Sequence, residues 1–265
     1  MNIATVVSVC GHDKYFDLAS ISIPSFLKNC PDADLFVFTD NIKKIKSIGG
    51  KNPRFHVEDF NFLYNKYYNK IDFINNYIPK NFKNMKYYNY VHDHIKVAAV
   101  LPMANFYLQD KYSHILKIDI DGYWVGNVLN KLITEEESVI NENDVLLVER
   151  RSLLMVRITK YRPGVGFTLW KSSSKFIELY LQNFIGTEQE TIWRITGCKW
   201  GKFHELLIKQ LKFHLLKRPG YHFVYPFTCN KDFNKEQASE FIPAYFHCGG
   251  QDVYEQLRTL ERWFG

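Results

Sequence analysis

Asp119 and Asp121 stand one residue apart where the run His114-Ile-Leu-Lys-Ile-Asp-Ile-Asp-Gly-Tyr-Trp-Val turns from apolar to acidic. In an extended chain, residues i and i+2 share a face about 6–7 Å apart, so both carboxylates can address one divalent ion directly or through water. Burying that much negative charge without a cation is costly. The bland alternative is a solvated surface turn. An apolar strand seldom ends in two acids on one face for packing reasons, so the metal site is the stronger reading.

The elements that must position these acids begin at residue 3. Ile3–Val9 reads as a buried strand, Gly11-His12-Asp13 as a polar break, and about Leu18 to Leu27 as a helix. Leu35–Thr39 is a second buried strand ending at Asp40-Asn41. Strand, helix and strand in this order open a mostly parallel sheet whose ligands gather at the carboxyl ends of the strands. Gly11, His12, Asp13 and Asp40 therefore stand near a nucleotide, unless they form only a loop and a turn. From His92 to Leu108 the apolar spacing predicts a buried helix, bent or interrupted at Pro102.

Residues 61–90 are rich in Tyr, Asn and Lys. Such a stretch can face a carbohydrate or a membrane, because aromatic faces stack on sugars and lysines meet phosphates. A solvated helical excursion has the same composition and is the stronger reading.

Bulk properties narrow the class. The 265 residues, 46% of them hydrophobic, can bury a sizeable core. Five cysteines, an odd number with no Cys-x-x-Cys pair, favour neither a zinc ribbon nor a disulfide framework and read as reduced, mostly core residues. The net charge of +6 suits an anionic ligand without choosing one, and the basic residues form no nucleic-acid motif. The first residues lack a signal peptide's basic segment and cleavage site, and no apolar run reaches the ~18 residues of a membrane span. The expected location is cytoplasmic or peripheral on a membrane face, with the oligomeric state unreadable.

Taken together, Lys96-Val-Ala-Ala-Val-Leu, the segment Tyr112–Asp121, and Val125–Val128 leading into the next helix resemble the glycosyltransferases of the GT-A fold. Within that fold the chain is similar to the retaining families of glycogenin, the lipopolysaccharide galactosyltransferases and the galactomannan enzymes. The resemblance covers about 3–40 and 92–255. It implies a single α/β domain over 1–265, Rossmann-like, with a mixed, mainly parallel central sheet flanked by helices. Residues 1–128 would be the nucleotide-sugar half and 129–265 the acceptor half.

The resemblance also implies roles. Lys96 would face the donor phosphates. Arg162-Pro-Gly-Val-Gly-Phe looks like the second central strand of these families, where Gly164 and Gly166 let the backbone approach the donor sugar; a plain loop entering a strand is the alternative. Glu188-Gln189-Glu190 looks like the acidic segment below the sugar, with Glu188 and Gln189 facing the anomeric carbon. These families usually carry Asp where this chain has Glu, and acids in a helix's first turn also simply complement its dipole. His247, before Gly249-Gly250, matches the metal-ligating histidine, with Gly249 at the diphosphate. The lysine that usually follows is absent, Gln251 standing instead.

Two carboxylates and an imidazole favour Mn²⁺ over Mg²⁺, which prefers oxygen ligands. The implied activity is transfer of a sugar from a nucleotide-diphosphate donor, UDP-sugar by default, to a glycan or glycolipid, with retention. Two other readings remain. Lys117-Ile-Asp-Ile-Asp-Gly-Tyr also looks like the strand of the haloacid-dehalogenase phosphatases, with Asp119 as nucleophile, although that motif normally opens its domain. A non-catalytic nucleotide-sugar-binding module is the third.

Overall fold

The computed structural model describes residues 1–71, 88–150, 162–184, 187–196, 211–216, 223–224, 233–249 and 252–265, with the backbone alone at 88–96, 149–150, 162–163, 190 and 223–224. Strands form where β-branched and aromatic residues run together. They are β1 (Ile3–Val9), β2 (Asp34–Thr39), β3 (Phe55–Asp59), β4 (His114–Ile118), β5 (Gly122–Val125), β6 (Val145–Arg150), β7 (Arg162–Lys171), β8 (Phe213–Leu216), β9 (Phe223–Val224) and β10 (Ala244–His247). Seven make one sheet in the order β3-β2-β1-β4-β7-β6-β8, and β5-β10-β9 make a second, small one.

In the large sheet, β1 pairs with β2 and β4 in parallel, as do β2 with β3 and β6 with β8. Among the described residues, only β7 runs against its neighbours, β4 and β6. The sheet is therefore mixed and mainly parallel, and parallel pairs need helical crossovers on the faces. Alternation along the strands sorts the core into two layers. Val7, Val37 and Leu116 face the helices Asp13–Asn29, Val128–Glu142 and Val253–Phe264. Val6, Phe38 and Ile115 face Phe60–Ile71, Tyr88–Leu108, Phe176–Gln182 and Glu188–Ile195. Full burial of one such aliphatic side chain contributes about 1.5–3 kcal/mol, so both layers hold the sheet in place.

Several elements depart from the sequence reading. The first helix starts at Asp13 rather than near Leu18, because the His12 ring accepts from the Lys14 N–H and caps it. The long helix runs from Tyr88 to Leu108 with Pro102 inside it and not interrupting it. β3 was not foreseen. Part of the Tyr/Lys-rich stretch is the helix Phe60–Ile71, whose Phe60, Leu63 and Ile71 are buried and whose Tyr64 and Tyr67 pack on the core. This half is thus a core element whose outer face mixes Asn and Lys with the exposed rings of Phe62 and Tyr68; residues 72–87 lie outside the described residues.

The sheet crosses residue 128 without a break, since β7 sits between β4 and β6. Cys10, Cys30 and Cys248 are buried, while Cys198 and Cys229 lie outside the described residues. Among the described residues, no helix is long and apolar enough to cross a membrane.

Candidate active site

The carboxyl ends of the parallel strands β1, β2 and β4 open on one edge of the sheet. Asp119 follows β4 directly, and its N–H donates to the Gly166 carbonyl at 3.1 Å, extending the β4–β7 ladder by one rung. On its other side β7 leaves register with β6, whose Leu147 pairs with Thr168 and Val148 with Gly164. Val165, Gly166 and Phe167 have no β6 counterpart. This bulge carries Gly166 against the acids. A Cβ at Gly166 would lie 2.6 Å from Asp119 Oδ2 and 2.7 Å from His247 Cε1, so any side chain there would displace those two groups.

His247 arrives by strand pairing. β10 runs antiparallel to β5 with His247 opposite Gly122, and the Cys248 N–H donates to the Asp121 carbonyl at 2.8 Å. One ligand atom each from Asp119, Asp121 and His247 lies within 4.8 Å of the others. Asp121 Oδ1 is buried and faces His247 Nε2 at 3.0 Å, which in turn lies 3.6 Å from Asp119 Oδ2. Neighbouring ligands of an octahedral ion bound at about 2.1 Å stand about 3.0 Å apart, so this donor set fits a small divalent cation. Burial opposes charge on His247, but Asp121 and Asp119 outweigh it and raise the imidazole's pKa.

Beneath the acids lies a residue that sequence reasoning passed over. Lys117 on β4 is 2% exposed, and its ammonium forms ion pairs with Asp119 Oδ1 and, at 3.1 Å, with Glu188 Oε1. It shares the face of Ile115, against which the helix Glu188–Ile195 packs, and so meets the first residue of that helix. Burial works against its charge, yet the two carboxylates hold its pKa above the usual lysine value. Glu188, only 6% exposed, is pushed up to about 7 by burial, with Lys117 opposing and Asp119 reinforcing the shift. The signal was a lysine in the otherwise apolar run Ile115–Ile118. Its partner lies 71 positions later (188 minus 117), beyond the reach of local pattern.

The remaining candidates distribute as follows. The Gly11 N–H, at a φ of 87°, donates to Asp40 Oδ2 at 2.9 Å, joining the ends of β1 and β2. His12 caps the first helix, and Asp13 pairs with Lys44 at 3.0 Å. Gly164 stands opposite Val148 in the sheet. Gln189 is half-buried beside Glu188. Gly249 uses its N–H and carbonyl on the Gln256 side chain, at 3.3 and 2.9 Å. Lys96 lies on the helix Tyr88–Leu108, but its side chain is outside the described residues, as are Gly250 and Gln251.

A seven-stranded mixed sheet flanked by helices, with an acid–acid–histidine group where β4 ends, defines the fold as that of the GT-A glycosyltransferases. The solved structures it resembles carry the same architecture. Mouse xyloside xylosyltransferase 1, in its apo form, superposes with a TM-score of 0.57 at 11% identity, over 96% of this chain and 99% of that one. A glycosyltransferase involved in glycosylation of the major capsid of PBCV-1 gives 0.54 at 9% identity, over 99% and 100%. The bifunctional WbbM glycosyltransferase, also apo, gives 0.52 at 11%, over 97% of this chain and 49% of that one. No protein-family model and no curated protein sequence matches the chain.

Proposed function

We propose that this protein is a metal-dependent glycosyltransferase that moves a sugar from a nucleotide-diphosphate donor, UDP-sugar by preference, to a glycan or glycolipid acceptor with retention. The observation that carries the reading is the convergence of Asp119, Asp121 and His247 within 4.8 Å at the carboxyl edge of a GT-A sheet. When bound there, Mn²⁺ or Mg²⁺ supplies Lewis acidity and a template for the leaving diphosphate.

The chain's own groups do the rest. Gly11, His12 and Asp40 form the nucleotide side, where β1 and β2 end. Lys96, on the helix that precedes the acids, is assigned to the phosphates, and the backbone at Gly164, Gly166 and Gly249 to the donor. Gly166 supports a close approach, since it offers no side chain beside the acids. Glu188 and Gln189 lie on the face of the sugar opposite the leaving group, where a carboxylate and an amide oxygen stabilise an oxocarbenium-like centre. The acceptor then attacks from the face the diphosphate leaves. An inverting enzyme would instead use a carboxylate as base for the acceptor hydroxyl. Residues 1–128 carry the nucleotide and the two acids, and 129–265 add His247, the sugar side and the acceptor, with exposed Lys66, Tyr68 and Lys70 offering a place for a lipid-linked acceptor or a membrane face.

The test is donor hydrolysis with a panel of UDP- and GDP-sugars, with and without Mn²⁺, in the wild type and in Asp121→Ala. Metal-dependent release of nucleoside diphosphate from one donor, lost in the variant, is the expected result. Binding without release would mean a non-catalytic module. Hydrolysis of a simple phosphate monoester with Mg²⁺, and of no donor, would replace the reading with the phosphatase one.

A further inference from the structure

Among the roles assigned above, none uses Lys117, although it is among the largest fully buried side chains. Its ammonium serves two carboxylates with different tasks. Asp119 presents Oδ1 to Lys117 and Oδ2 towards His247, so its two oxygens are divided between a lysine and the metal ligands. Glu188 meets the same ammonium from the start of a separate helix. Asp119 therefore stands between two cation sites, the ammonium on one side and the group it forms with Asp121 and His247 on the other.

A cation on Asp119 withdraws charge from the carboxylate and repels the ammonium, while leaving the attraction between Lys117 and Glu188 intact. We propose that Lys117 is a positioning residue that relays between the metal ligands and Glu188, its ammonium moving from Asp119 towards Glu188 when a divalent cation binds. The metal then sets the Glu188 carboxylate in place beneath the donor sugar, so the sugar side of the site is completed only after the metal side. This rests on the metal and donor assignments above. Because such coupling is reciprocal, Glu188 must in turn strengthen cation binding by drawing the ammonium away from Asp119.

Calorimetric titration of Mn²⁺ alone, without donor, tests the relay in the wild type, Glu188→Gln, Lys117→Met and the double variant, with circular dichroism as the check on folding. Glu188→Gln leaves the ammonium wholly on Asp119 and should weaken Mn²⁺ binding by about tenfold, the lower range for changes behind a metal ligand. Adding Lys117→Met should recover most of that loss. If Lys117→Met alone does not fold, Glu188→Gln against the double variant still decides, since the double variant keeps neither member of the pair. Unchanged affinity in Glu188→Gln, or a double variant binding no tighter than Glu188→Gln, overturns the relay; a purely structural ion pair would lower Tm and leave affinity alone. A wild type that binds no Mn²⁺ removes the metal reading and the relay with it.

Discussion

Tyr245 donates its hydroxyl to the main-chain oxygen of Asp119 at 2.7 Å, across 126 positions of sequence. The strand that brings the histidine thus also latches the turn that carries the acids. Tyr245→Phe removes one hydrogen bond and should lower stability by about 1 kcal/mol. It should also weaken Mn²⁺ binding, because the backbone of Asp119 is no longer held. Urea unfolding and calorimetry measure the two effects, and intact affinity would show that the latch is irrelevant to the metal.

Gly122 makes room for that tyrosine. A Cβ there would overlap the Tyr245 ring. Gly122→Ala should therefore cost about 1–3 kcal/mol through overpacking, read as a lower urea midpoint. A midpoint equal to the wild type's would mean that the ring can shift freely.

Gly166→Ala separates chemistry from folding. Its methyl would press on Asp119 Oδ2 and the His247 ring rather than on an apolar core. The variant should keep its circular dichroism spectrum and lose at least tenfold in Mn²⁺ affinity, as expected when ligands are displaced. Wild-type affinity in this variant would contradict the assignment of the ligand group.

Glu188 and His114 pull stability in opposite directions below neutrality. Burial raises Glu188 from 4.5 to about 7, so its contribution is complete below about 4.5 and is lost as pH rises through about 7. Burial, helped by Lys171, lowers His114 from 6.5 to about 4, so its contribution is present above 6.5 and is lost as pH falls through about 4. Each slope reaches at most about 1.4 kcal/mol per pH unit, and in the shared window they cancel. In EDTA, Glu188→Gln should make stability rise with pH between about 4.5 and 6.5, and His114→Gln should make it fall. Urea midpoints across that range decide, and slopes of the reverse signs would refute the assignment.

What the sequence made legible follows distance along the chain. Asp119 and Asp121 were readable as two acids closing an apolar strand, but the extended two-residue period does not hold there: β4 ends at Ile118, and Asp121 lies in the turn before β5. The strands β1 and β2 were readable as β-branched and aromatic runs, and β4 as an apolar run interrupted by Lys117. β3 was not, for its residues Phe55–Asp59 are all half-buried and carry two acids and a histidine. The early start of the first helix turned on His12, an unusual cap. Lys117 stood in plain view, but its meaning depends on Glu188, which only the packing of a distant helix supplies. His247 was placed by family resemblance, whereas the β5–β10 register gives the physical reason for its position.

The register of β10 on β5 has a consequence during synthesis. The acids are translated early and the imidazole more than a hundred residues later, so a ribosome must pass position 247 before all three ligands exist. A partly made chain can lay down β1, β2 and β4 but offers a cation only two carboxylates. On the proposed assignment, the three-ligand group is therefore complete only after every strand of the large sheet has been translated.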